Sequence, residues 1–112
     1  MSTIQTPSNE LNADRLRSLI AEELADLIAI RRDLHAHPEL GYEEHRTSGV
    51  IQEQLERAGV DFARNLAGGT GVLGHLPGRV EKAIGLRADI DALPMTEESD
   101  LPYRSTNEGR MH

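Results

Sequence analysis

Two carboxylates spaced two residues apart form the arrangement in this chain that most suggests chemistry. Asp89 and Asp91 follow an apolar stretch in the segment 86–94, Leu-Arg-Ala-Asp-Ile-Asp-Ala-Leu-Pro. Side chains two apart share one face of a strand, so the carboxylates are expected to converge where the strand leaves its sheet. Sites in open α/β sheets collect at the carboxyl ends of strands, where paired carboxylates bind hard cations or orient a ligand group by accepting its N–H. The structural alternative is a loop-capping aspartate and an aspartate paired with Arg87.

The histidines are a second candidate group. His35 and His37 come directly before Pro38, but two histidine ligands on one helix face require a spacing of four. A site made of His37, Glu44 and His45 across the following turn is an alternative. A histidine at a helix end is more often a cap or a surface group, and no metal ligand is assigned in this sequence.

The remaining motifs point to structure. The run 68–71, Gly-Gly-Thr-Gly, lacks the lysine of a phosphate-binding loop and precedes a strand, which predicts a tight turn. The chain has no cysteine, which excludes thiol nucleophiles, disulfides and zinc ribbons among these residues. The acidic run 97–100, Glu-Glu-Ser-Asp, is interpreted as a solvated loop.

Hydrophobic periodicity predicts the elements that position these residues. A helix is expected from about Asn12, a side-chain acceptor for its first amides, to His37 or just before it, where Pro38 stops it. A second helix is expected over 43–58, capped by Gly59. Strands are expected over 60–64, 72–76 and 83–89, followed by an irregular segment to residue 112. The fold class is therefore α/β, with two helices followed by about three strands, behind a flexible tail at residues 1–11.

Composition limits the class of protein. At 112 residues the chain is one small domain or a piece of a larger one. A net charge of −7 opposes binding to nucleic acid and to anionic membranes. The N-terminal residues lack the features of a secretory signal, and no apolar run is long enough for a membrane span. The expected location is the cytoplasm.

The order of the motifs resembles the start of the M20 metallopeptidase family, and most closely its amidohydrolase branch, which includes hippurate hydrolases and N-acyl-amino-acid amidohydrolases. The resemblance covers about residues 25–112. Its segments are 31–44 (Arg-Arg-Asp-Leu-His-Ala-His-Pro-Glu-Leu-Gly-Tyr-Glu-Glu), 69–71 (Gly-Thr-Gly), 85–94 (Gly-Leu-Arg-Ala-Asp-Ile-Asp-Ala-Leu-Pro), 101–105 (Leu-Pro-Tyr-Arg-Ser) and 109–112 (Gly-Arg-Met-His).

This resemblance implies a hydrolase that cleaves the amide bond between an acyl group and an amino acid, a small-molecule substrate. The family's catalytic α/β domain carries a lid domain and two divalent metal ions (Zn, Mn, Co or Ni), which polarise the carbonyl and activate water. Residues 12–112 would form an incomplete N-terminal portion of that catalytic domain. Assembly into a homo-oligomer is a further possibility.

The resemblance also implies roles for individual residues. In this branch a Cys-Gly-His-Asp segment with the first metal ligands follows the Met-His pair, and the present sequence reaches Met111-His112. Asp91 matches an aspartate that supports a metal-bound histidine in relatives, and Asp89 stands in place of that histidine. Asp91 and Asp89 are therefore candidate catalytic residues in a supporting role, and the 112-residue chain alone is expected to be inactive. The alternative is a non-catalytic interaction module that binds a partner through its amphipathic helices.

Overall fold

The computed structural model describes residues 11–112. The predicted flexible tail at 1–11 lies, apart from Leu11, outside the described residues. The chain divides into two compact units, one ending at Arg31 and the other spanning Arg32–His112. The candidate site lies in the second unit.

Helix α1 spans Ala13–Ala36, as the apolar periodicity predicted. The side-chain oxygen of Asn12 accepts the amide of Arg15 at 2.8 Å, which satisfies one of the free donors of the first turn. The helix ends two residues before Pro38, whose ring disfavours helical backbone in the residue ahead of it. Its large apolar side chains stay about half exposed: Leu16, Ile20, Leu24, Leu27 and Ile28.

Helix α2 spans His45–Arg57, two residues shorter at its start than predicted. Gly59, at φ 69°, ends it in the left-handed region that glycine adopts without steric cost. Neither described helix combines the length and the apolar character needed to cross a membrane.

Strands β1 (Asp61–Leu66) and β2 (Gly71–His75) form an antiparallel hairpin, which confirms the first two predicted strands and the tight turn between them. A β-carbon on Gly71 would lie 3.0 Å from the carbonyl oxygen of Leu66, so a larger residue there would require the Leu66 backbone to shift. Helix α2 packs against both strands, and its Leu55 lies next to Gly74.

The prediction of a third strand at residues 83–89 is wrong: within the described residues, this segment forms no strand. A strand exists through hydrogen bonds to a neighbour, and no backbone hydrogen bond joins residues 83–91 to another described segment. Ile84 and Leu86 are accordingly 94% and 98% exposed. The α/β order of two helices followed by strands is confirmed, with two strands instead of about three.

Candidate functional site

A cavity of about 590 Å³ in the second unit brings together three segments distant in sequence. The turn before α2 contributes Gly41, Tyr42 and Glu44, the hairpin turn contributes Thr70, and the extended segment 87–91 forms a further wall. Both predicted site residues, Asp89 and Asp91, line this cavity.

The two aspartates differ in their surroundings. Asp89 pairs with Arg87 at 2.8 Å, and both side chains are largely exposed. This pairing is the structural alternative that the sequence left open for one of the two aspartates. A β-carbon on Gly41 would lie 3.9 Å from an Asp91 carboxylate oxygen and 3.8 Å from one of Glu44. The carboxylates of Asp91 and Glu44 therefore both lie close to Gly41, which has no side chain to displace them.

Glu44 is a third carboxylate of this cavity. From the sequence it was considered only as part of an alternative site with His37 and His45. It is 5% exposed, and its two oxygens accept the backbone N–H of Tyr42 at 2.7 Å and the hydroxyl of Thr70 at 2.5 Å. Tyr42 has a φ of 67°, a conformation that is strained for a bulky residue. Glu44 thus holds a strained turn and the hairpin turn together, and both line the cavity.

The end of α1 is held by ion pairs and hydrogen bonds. His37 Nδ1 lies 2.8 Å from the carbonyl oxygen of Asp33, consistent with the structural interpretation of this histidine. The guanidinium of Arg46 donates to both carboxylate oxygens of Asp33, at 2.8 and 2.9 Å. The hydrogen bond from Arg46 lowers the pKa of Asp33 below its ordinary value.

Glu39 connects the start of α2 to the segment that carries Asp91. Its carboxylate accepts the amides of Arg46 and Thr47 at 3.0 and 2.6 Å, and its backbone carbonyl accepts the amide of Ala92 at 2.8 Å. Burial acts to raise the pKa of Glu39, but the hydrogen bonds from Thr47 and Arg46 together outweigh it and lower that pKa.

Glu97 corrects the interpretation of the acidic run as a solvated loop. It is 5% exposed, and its carboxylate contacts Nε2 of His35 at 2.8 Å and accepts the amide of Ser105 at 3.0 Å. The Ser99 hydroxyl donates to its other oxygen. The hydrogen bond from Ser99 is the largest of the contributions that lower the pKa of Glu97. The run shows no periodicity in the sequence, so nothing in it marks one of its carboxylates as inward-facing.

His112 lies near the end of α1. Its ring centroid is 6.4 Å from that of His35. Burial and the neighbouring His35 lower the pKa of His112, while the carboxylates of Asp91 and Glu39 act in the opposite direction. The preceding Met111 exchanges two backbone hydrogen bonds with Leu93, at 2.7 and 3.1 Å.

Within residues 11–112, no three histidine, aspartate or glutamate side chains lie close enough to hold a metal ion. His37, Glu44 and His45 do not form a ligand set there. The described residues therefore do not form a metal cage of their own.

Comparison with known proteins places this geometry in a family. The chain is 48% identical over 90 residues to the N-acetyldiaminopimelate deacetylase of Streptococcus thermophilus, and 44% identical over 92 residues to that of Streptococcus pneumoniae. A dinuclear metal-binding peptidase of the M20 family, the YXEP protein of Bacillus subtilis, matches 82% of the chain with a TM-score of 0.75 at 40% identity. The chain belongs to the M20 family.

A second solved structure extends the match. A protein from methicillin-resistant Staphylococcus aureus, proposed to be an aminohydrolase, covers 90% of this chain with a TM-score of 0.83 at 34% identity. No family model matches the chain. The two deacetylases match 78% and 80% of this chain, which spans 24% of the length of each; it spans 26% and 27% of the two solved structures.

Proposed function

We propose that the complete M20 protein containing this chain is a metal-dependent amidohydrolase of the cytoplasm. Its substrate is an N-acyl amino acid, whose amide bond it cleaves with water to give a carboxylic acid and the free amino acid. The observation that carries this proposal is the match to a dinuclear metal-binding peptidase at 40% identity. The deacetylase activity for which the Streptococcus relatives are named supports an acetyl group on the substrate, and a hippurate-type benzoyl group is the alternative.

In this proposal, the described residues position other groups for the reaction. Two divalent ions would polarise the scissile carbonyl and activate water in such an enzyme, and other residues of the complete protein would hold them. Asp91 is the supporting carboxylate at the cavity, while the negative charge of Asp89 is compensated by its ion pair with Arg87. Glu44 and Glu39 fix the turns around Asp91 through the hydrogen bonds described above.

The test is an amine-release assay on the complete gene product. The protein is stripped of metal, reloaded with Zn²⁺, Mn²⁺, Co²⁺ or Ni²⁺, and given N-acetyldiaminopimelate, other N-acetyl amino acids or hippurate. We expect turnover only after metal is restored, with a higher kcat/KM for the acetylated substrates. Absence of amine release from every substrate with every metal would contradict the proposal.

A non-catalytic interaction module is the second candidate, and the half-exposed apolar stripe of α1 favours it. A module would bind its partner through that stripe and hydrolyse nothing. Substituting Leu24 and Leu27 with Gln separates the two functions, because it would abolish partner capture by a module. Metal-dependent turnover by the unsubstituted protein supports the enzyme.

A further inference from the structure

The segment 97–112 contains neither helix nor strand, yet several contacts join it to the rest of its unit, including Asn107 Nδ2 to the carbonyl of Pro38 at 3.0 Å and Arg110 to Glu43 at 3.8 Å. Three further contacts concern the candidate site. The first is the Glu97 cluster, which we define as His35, Glu97, Ser99 and Ser105. The second lies at the end of α1, where Thr106 donates its amide and its hydroxyl to the carbonyl of Ala36 at 2.9 and 2.7 Å. The third is the pair of backbone hydrogen bonds between Met111 and Leu93.

The Glu97 cluster is the most enclosed of the three. The side chains of Glu97 and His35 are 4% and 16% exposed, so water hardly competes for their contact. The ring of Tyr103 meets the His35 ring edge-on at 5.6 Å, and the guanidinium of Arg32 lies 4.7 Å from the Tyr103 centroid. A buried carboxylate is stable when several donors form hydrogen bonds to it. If the carboxylate of Glu97 were removed, those donors would be left without a hydrogen-bond partner.

The third contact lies next to the candidate site. Leu93 follows Asp91 by two residues, and Ala92 between them donates its amide to the Glu39 carbonyl. The course of segment 97–112 therefore sets where Met111 and His112 lie relative to Asp91.

We propose that Glu97 is a positioning residue that acts through His35 and Ser105 to hold Met111 and His112 beside Asp91. This inference rests on the proposed function for its catalytic consequence, and on the geometry alone for its structural consequence. The acidic residue next to it, Glu98, is exposed and supplies a matched control.

The experiment compares Glu97→Ala with Glu98→Ala in the complete gene product by residue-resolved amide hydrogen exchange and by kinetics. In Glu97→Ala we expect the Leu93 and Met111 amides to exchange about tenfold faster or more, because their mutual pairing loses its anchor. The hairpin amides at 61–75 should keep their rates. With the N-acyl amino acid substrate, kcat should fall roughly 10–100-fold, the range for residues that orient catalytic groups, with KM little changed. Glu98→Ala should match the unsubstituted protein in both measurements.

Unchanged exchange at Leu93 and Met111 in Glu97→Ala would overturn the proposal, as would equal acceleration across the hairpin, which indicates general destabilisation. If Glu97→Ala does not fold, Glu97→Gln decides, because it keeps the shape and removes the charge that strengthens these hydrogen bonds. Faster exchange confined to Leu93 and Met111 then supports the proposal, and unchanged exchange overturns it. A protein that hydrolyses no N-acyl amino acid refutes the proposed function, while the exchange measurement still decides on positioning.

Discussion

Carboxylates in the second unit differ in what their surroundings allow them to do. Glu44 and Glu97 are each 5% exposed and are committed to several donors. Asp89 is exposed and paired with Arg87. Asp91 is also exposed and lines the same cavity as Asp89, but its neighbours Ala92 and Leu93 are fixed by backbone hydrogen bonds. A held backbone with a side chain directed at a cavity is the arrangement that a supporting catalytic carboxylate needs.

Substitution of Asp91 tests that role. In the complete gene product, Asp91→Asn should lower kcat/KM or metal occupancy roughly 10–100-fold, because an amide lacks the charge that orients a ligand group. Steady-state kinetics and metal analysis by mass spectrometry measure the two effects. Asp61→Asn, an exposed site on β1, removes the same charge away from the cavity and should change neither. Unaltered kinetics and metal content in Asp91→Asn would reduce Asp91 to a loop residue.

Thr70 is the residue to change in order to measure the buried Glu44 contact. Thr70→Val keeps the side-chain shape and deletes the hydroxyl that Glu44 accepts at 2.5 Å. The free energy of unfolding of the complete protein should fall by about 1–3 kcal/mol, since a buried carboxylate oxygen loses its partner. Urea denaturation gives the value, and Thr96→Val at an exposed position is the control. Equal stability of the two variants would contradict the role assigned to Thr70.

At the scale of elements, Glu39 takes the place of a local cap for α2. Glu44, directly before the helix, makes no side-chain cap hydrogen bond, and Glu39 instead accepts the amides of Arg46 and Thr47. A negative charge at a helix N-terminus also complements the helix dipole. Capping from outside the helix connects α2 to the end of α1 and, through the Glu39 carbonyl, to Ala92.

The pKa of Glu39 gives this cap a defined pH dependence. Because the folded pKa is lowered from the ordinary value of 4.5, the ionised form is favoured by folding. The stabilisation is present in full above pH 4.5 and is lost as pH falls through the lowered folded pKa. Glu39→Gln should reduce the free energy of unfolding by about 0.5–2 kcal/mol at neutral pH. It should also flatten the decline of that free energy on acidification.

Denaturation of the complete protein between pH 7 and pH 3 measures this dependence. Glu81→Gln, in an exposed loop, should retain the unsubstituted protein's pH profile. An acid decline in Glu39→Gln as steep as in the unsubstituted protein would contradict the assignment.

The sequence predicts the local elements well and the long-range contacts poorly. Asn12, Pro38 and Gly59 act on their own neighbours, so the start and end of α1 and the end of α2 follow from them. The burial of Glu97 depends on His35, 62 residues away, and that of Glu44 on Thr70, 26 residues away. Such pairings leave no periodic signal. The missing third strand has the same cause: its apolar residues suit a strand, but pairing depends on a partner segment that local pattern does not identify.

For the whole molecule, burial of apolar surface is the quantity that decides independent stability. Among residues 11–112, Ala92 is the buried hydrophobic side chain of the core, together with Pro38. Large apolar side chains between Val80 and Leu86 are at least 75% exposed, as is Leu76 before them. A chain of this length ordinarily stabilises itself by enclosing such residues, since conformational entropy opposes folding throughout.

We therefore expect the isolated 112-residue chain to be marginally stable or molten. Its far-ultraviolet circular dichroism should show helix, while its thermal transition is broad, its amide resonances are poorly dispersed and it binds the dye ANS. The complete protein should show none of these properties, because further polypeptide can cover Ile84 and Leu86 and pair the backbone of residues 83–89. A sharp cooperative melt with well-dispersed resonances from the isolated chain would contradict this expectation and would favour the interaction module, which must fold without further polypeptide.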